Sequence, residues 1–111
     1  MKGNIITYAE GITKREIVDN NNTIFGKVIK SHQTGKFTYY YYPGILHEIR
    51  YSKLANGCYF IPESAAIHLI AQQCTNIQII NAQIFIGQEK LFTASEHFRN
   101  KFENRTVVNL E

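Results

Sequence analysis

No stretch of this chain reaches the roughly 18 consecutive apolar residues that a membrane-spanning helix requires. The opening Met1-Lys2-Gly3-Asn4-Ile5-Ile6 does not supply the apolar core, about 7–15 residues long, of a secretory signal. The expected location is therefore the cytosol, of its own cell or of a host. Cysteine is scarce: Cys58 and Cys74 stand alone, without Cys-x-x-Cys spacing. That argues against a disulfide framework and a zinc site and leaves two buried, reduced thiols. The sequon matches at 21–23 and 104–106 mean little without a secretory route. Carboxylates are few and scattered, nine Asp and Glu in all, which argues against a glycosidase-like pair or a multi-carboxylate metal centre. There is no Gly-rich phosphate loop, no Gly-x-Ser-x-Gly elbow and no Cys–His motif. The four histidines show no i, i+4 helical pair. Neither a cofactor nor a metal is expected.

What the chain does contain is 44% hydrophobic and 19% charged residues, a globular composition. At 111 residues it reads as one α+β domain spanning 1–111. A chain of that length buries roughly two thirds of its unfolded surface without staples. The net charge of +3 is unevenly placed. Lys27, Lys30, Lys36, Arg50 and Lys53 face only Glu48 between residues 26 and 55, a local +4 that leaves the remainder at −1. A cluster of this size steers a polyanion or an acidic surface. It falls short of the dense stripe of a dedicated nucleic-acid binder.

Taken in order, residues 4–8 are β-prone and Ala9-Glu10-Gly11 is a turn. Residues 12–18 read as a second strand, and Asp19-Asn20-Asn21-Asn22 as a strong turn. Three strands follow at 23–31, 36–42 and 45–54. The first two are joined by the loop His32-Gln33-Thr34-Gly35, the second and third by Pro43-Gly44. In the third, Ile45, His47, Ile49 and Tyr51 alternate with Leu46, Glu48, Arg50 and Ser52. Asn56-Gly57 then turns the chain into a short strand at 58–61. Ala66, Ile67, Ile70, Ala71 and Cys74 recur at helical spacing, with Pro62 at the first helical position. Residues 76–86 return to strand, with a bulge expected near Asn81. Thr93 and Glu96 match a capping box, followed by an apolar stripe of Ala94, Phe98 and Phe102. Arg99, Lys101 and Arg105 sit where the helix dipole favours cations. Residues 106–110 supply an edge strand. The expected architecture is an antiparallel meander of five to six strands against an amphipathic helix at 63–74, with a second, C-terminal helix at 94–103.

The densest aromatic stretch is Phe37-Thr38-Tyr39-Tyr40-Tyr41-Tyr42. Strand alternation places Lys36, Thr38, Tyr40 and Tyr42 on one face and Phe37, Tyr39 and Tyr41 on the other. Lys36 and Thr38 mark their face as wet, which puts Phe37, Tyr39 and Tyr41 inside and displays Tyr40 and Tyr42. Displayed tyrosines suit a protein partner or stack on unpaired bases beside lysines holding phosphates. His47, on the Ile45/Ile49/Tyr51 face, reads as a hydrogen-bonded core histidine.

The expected function is a non-enzymatic binding protein working through Lys27, Lys30, Lys36, Tyr40, Tyr42, Arg50 and Lys53. Its expected partner is nucleic acid or a nucleic-acid-handling complex, which would also suit a small accessory factor or inhibitor from a mobile element. One alternative is a metal-independent ribonuclease drawing a base, an acid and a cation from His32, His47, Lys36, Arg50 and a tyrosine. Another is a self-associating protein that buries the aromatic strand in a homodimer.

Overall fold

Thr13 and Glu16 close a capping box: the Glu16 N–H donates to Thr13 Oγ1 at 3.1 Å, and the Thr13 N–H donates to Glu16 Oε1 at 3.2 Å. In this computed structural model, which describes residues 1–33, 35–102 and 106–109 (Gln33 and 106–109 by backbone only), that box starts helix α1, Lys14–Phe25. The expected strand at 12–18 and turn at 19–22 are thus both replaced by helix. The asparagine run tolerates helix because Asn20 and Asn21 find partners beyond the local backbone. Asn20, only 3% exposed, donates from Nδ2 to the Thr75 carbonyl at 2.7 Å and accepts from the Thr75 N–H at 3.1 Å. Tyr8 donates its hydroxyl to Asn21 Oδ1, and Asp19 pairs with Arg15 at 3.3 Å.

Gly26 converts that helix directly into a strand. Its φ of 95° suits glycine, and a Cβ there would lie 2.4 Å from the Tyr42 carbonyl oxygen and 2.7 Å from the Tyr41 ring. The strand that begins there, β2 (Gly26–Gln33), pairs antiparallel with β3 (Lys36–Pro43). Pairing extends through His32–Phe37 and Gln33–Lys36, so the first two residues of the expected four-residue loop are strand; Thr34 lies outside the described residues.

The α+β class holds, but the strands divide between two sheets. The first has the order β4 (Ser52–Ala55), β5 (Cys58–Ile61), β1 (Lys2–Tyr8), β6 (Ile77–Gln83), all antiparallel. The second places β3 between β2 and β7 (Thr106–Asn109), with β7 joining β3 parallel as an edge strand. Pairing between β1 and β6 runs unbroken from Lys2–Gln83 to Tyr8–Ile77, so no bulge forms at Asn81. The irregularity lies instead in the β4–β5 hairpin, between Lys53 and Ala55.

Helix α2 (Ser64–Gln73) buries Ala66 and Ile70 and exposes Ser64, His68 and Gln72, as its spacing requires. Glu63 occupies the cap, so Pro62 precedes the helix rather than opening it. Ala66 and Ile70 join Ile6, Ile24, Leu46 and Ile61 in the main core. Helix α3 (Ala94–Lys101) starts from the expected Thr93–Glu96 box and carries Arg99 and Lys101 in its last turn. The expected end of that helix at 103, Arg105 and Leu110 lie outside the described residues.

The expected strand at 45–54 survives only as β4. Residues 45–50 place their backbone groups elsewhere: Ile45 and Leu46 N–H donate to the Thr23 and Ile24 carbonyls at 2.9 and 2.8 Å. The Leu46 and His47 carbonyls accept from Ala94 and Ser95 at 3.0 and 3.1 Å. One loop thus satisfies the open end of α1 and the open start of α3. Leu46, assigned by alternation to the polar side, becomes fully buried.

Candidate nucleic-acid interface

The β2–β3 hairpin runs from Gly26 to Pro43 without one Asp or Glu. Antiparallel register puts directly paired residues on the same face. Lys27 pairs with Tyr42, Ile29 with Tyr40, and Ser31 with Thr38, and Lys36 shares their face. Lys27 and Lys36 are exposed there, Ile29 is 44% exposed, Tyr42 is 38% exposed, and Tyr40 is half-buried. The Lys27 ammonium lies 5.3 Å from the Tyr42 ring centroid, within cation–π range.

The opposite face is the packed one. Tyr39 and Tyr41 are buried against α3, their ring centroids 4.8 Å from Phe102 and 4.5 Å from Phe98. Tyr41 donates its hydroxyl to the Phe25 carbonyl at 2.9 Å, and burial pushes its pKa up to about 12, with the neighbouring Tyr51 phenol adding to the shift. Phe37 was expected inside with them and is instead 48% exposed near the hairpin turn. Its ring lies 4.6 Å from His32 and beneath the Lys30 ammonium at 3.8 Å.

The seven expected binding residues therefore separate. Lys27, Lys36, Tyr40 and Tyr42 share the outer face of the hairpin. Lys30 points to the other face, over Phe37. Arg50 sits in the loop before β4 and donates from Nη1 to the Leu91 carbonyl at 3.3 Å. Lys53 belongs to the first sheet and borders a cleft between the two sheets. Ile29, an apolar member of the outer face, was not among the expected residues; its strand parity with Lys27 was the available signal.

The residues proposed for cleavage chemistry do not converge. His47 packs its ring 5.5 Å from Tyr41, which pairs with Val28, four residues along β2 from His32 and so about 13 Å away along the strand. Lys36 lies on the opposite face from Tyr41. His47 is mostly buried, yet its Nδ1 finds no hydrogen-bond partner among the described residues, unlike the satisfied core histidine expected. Cys58 and Cys74 are half-buried free thiols, and burial raises the Cys74 pKa. Among the described residues, no three His, Cys, Asp or Glu side chains gather into a metal-holding group, and no helix is long and apolar enough to cross a membrane. No protein-family model, no curated protein and no solved structure matches this chain.

Proposed function

We propose that this chain is a binding protein whose β2–β3 hairpin holds single-stranded nucleic acid on its outer face. The observation that carries the reading is one hairpin face, free of carboxylates, with Lys27 beside Tyr42 at one end, Lys36 at the other and half-buried Tyr40 between them. Phosphates need cations free of competing anions, and unpaired bases need ring faces to stack on. Tyr42 and Lys36 lie six residues apart, about 20 Å along the strand, so cations and rings are spread along a track rather than focused at a point. Ile29 extends the apolar floor beside Tyr40. An acidic protein surface would meet the same lysines but would gain little from the tyrosine spacing.

Fluorescence anisotropy with labelled single-stranded oligonucleotides across a salt series tests this. Replacing Lys27 and Lys36 by Gln weakens binding and flattens the log–log salt slope by about 1.4, two phosphate contacts at about 0.7 each on a single strand. Tyr40→Ala with Tyr42→Ala costs about 1–3 kcal/mol per stacked base while leaving the salt slope intact. Lys30→Gln, on the other face, leaves that slope unchanged. Equal losses from Lys30 and Lys27 would show that facial arrangement is irrelevant and would overturn the proposal. Binding of the folded wild type to a protein complex that persists after nuclease treatment, without binding to oligonucleotides, would also overturn it.

A further inference from the structure

A cleft of about 640 Å³ opens where the two sheets meet, walled by the end of α1, by Tyr51 with β4 and β5, by the segment leading into α3, and by α3 itself. Its volume falls within the range of about 300–1,000 Å³ usual for small-ligand sites. Five of its lining residues are aromatic: Phe25, Tyr51, Tyr59, Phe92 and Phe98. Phe25 sits between two of them, with ring centroids 5.1 Å from Tyr51 and 4.7 Å from Tyr59. Polar lining comes chiefly from Lys53, Lys90, Lys101 and His97, and among the described residues no carboxylate lines the cleft.

Two features suit this cleft to one chemical class. Lys53, Lys90 and Lys101 come from three separate parts of the chain, and all are exposed. All three line the same cleft, with no anionic partner among the described cleft residues. Tyr51, only 9% exposed, makes no side-chain hydrogen bond to any described residue, although it lines the cleft. Its hydroxyl is within reach of solvent, so a ligand's polar edge takes the place of water there.

From these features we infer that the cleft between the sheets binds a nucleoside phosphate. The planar base lies against the aromatic wall, Tyr51 meets its polar edge, and the phosphate sits among Lys53, Lys90 and Lys101. This site is separate from the outer hairpin face: of the seven residues expected from the sequence only Lys53 borders it, and the inference does not rest on nucleic-acid binding by the hairpin. The same group reaches the cleft either as a free mononucleotide or as the end of a strand, since both present one base and one phosphate.

Isothermal titration of the full chain with adenosine 5′-monophosphate, adenosine, inorganic phosphate and a short oligonucleotide tests it. The monophosphate binds, and adenosine and inorganic phosphate each bind at least about tenfold more weakly, because each forfeits one half of the recognition. The exposed pair Lys90→Ala and Lys101→Ala weakens monophosphate binding about tenfold with unchanged thermal stability. Tyr51→Phe keeps the ring and weakens binding severalfold. Lys27→Gln with Lys36→Gln leaves monophosphate binding intact, so failure of the cleft and failure of the hairpin are distinguishable. Competition between monophosphate and oligonucleotide marks a strand end as the natural source; lack of competition marks the free mononucleotide. No heat or saturation with millimolar monophosphate, inorganic phosphate binding as tightly as the nucleotide, or indifference to the lysine pair would overturn the inference.

Discussion

Replacing Asn20 by alanine separates a helix held by propensity from one held by tertiary hydrogen bonds. Asn20 is 3% exposed in the middle of α1 and makes a reciprocal pair with the Thr75 backbone, at 2.7 Å to its carbonyl and 3.1 Å from its N–H. Each such bond contributes about 1 kcal/mol net. Truncation also leaves the Thr75 peptide unpaired, a cost of about 1–3 kcal/mol, taken at its low end because Thr75 itself is exposed and water reaches it. Against these losses, alanine gains about 0.6 kcal/mol of helix propensity over asparagine. The balance is a destabilisation of about 2 kcal/mol, which at this chain length lowers the melting temperature by about 8 °C. Asn22→Ala is the matched control. Asn22 is exposed and makes no side-chain hydrogen bond to a described residue, so it gains the propensity and loses nothing. Its melting temperature stays level or rises slightly. Thermal unfolding followed by circular dichroism measures both. If Asn20→Ala melts at or above Asn22→Ala, the link from α1 to Thr75 does not hold the helix and the reasoning fails.

Three other outcomes follow from the same packing. Gly26→Ala forces a Cβ to within 2.4 Å of a carbonyl oxygen at a φ of 95°, and is expected to cost roughly 3 kcal/mol or to prevent folding; wild-type melting behaviour would contradict this. Hydrogen bonds from the Thr13 N–H and hydroxyl, then from Asn76 and Thr75, hold the Glu16 carboxyl below its ordinary 4.5. A depressed carboxylate stabilises the fold above the unfolded pKa and loses that contribution as pH falls below about 4.5, so Glu16→Gln shows a shallower acid limb in melting temperature against pH, and superimposable limbs refute it. Burial, reinforced by neighbouring phenols (and, at Tyr8, by Cys74), pushes Tyr8, Tyr41 and Tyr51 up to about 12. Raised phenols favour the fold below pH 10 and withdraw that support as pH climbs toward 12; the tyrosinate absorbance of these three therefore rises late in the native protein and near pH 10 in denaturant, and coincident curves would rule this out.

How much of the fold could be read from the sequence depended on whether a local signal had a competing local signal. Thr93–Glu96 stood alone, and α3 begins there. Thr13–Glu16 is the same capping pattern, but the β-branched residues and the Asp-Asn run after it favour strand and turn. What decided the segment was the remote Thr75 backbone, 55 residues away, together with Tyr8. The loop at 45–50 departs from the expected strand for a related reason. Its apolar alternation was real, yet its backbone groups bond to the ends of α1 and α3 rather than to a neighbouring strand. Alternation reports which side chains are apolar; it does not report where the backbone finds partners.

The candidate site shows the same division more sharply. Burial of Tyr39 and Tyr41 followed correctly from the wetness of Lys36 and Thr38, because a strand has only two faces. Phe37 escaped the rule because cover is finite: the rings of α3 reach Tyr41 through Phe98 and Tyr39 through Phe102, leaving Phe37 two residues nearer the turn beside His32 and Lys30. The lysines were open to the same parity argument. Lys27 and Lys30 are three residues apart, an odd spacing that sends them to opposite faces of any regular strand. Counting charge along the chain merged them into one patch, whereas counting by face leaves Lys27 and Lys36 as the hairpin's shared cations. A local +4 in sequence is therefore not one electrostatic feature in space. It becomes a two-lysine outer track, one lysine capping Phe37, one arginine donating to the Leu91 carbonyl and one lysine at the inter-sheet cleft. Any reading of this chain's charge must start from those separate surfaces.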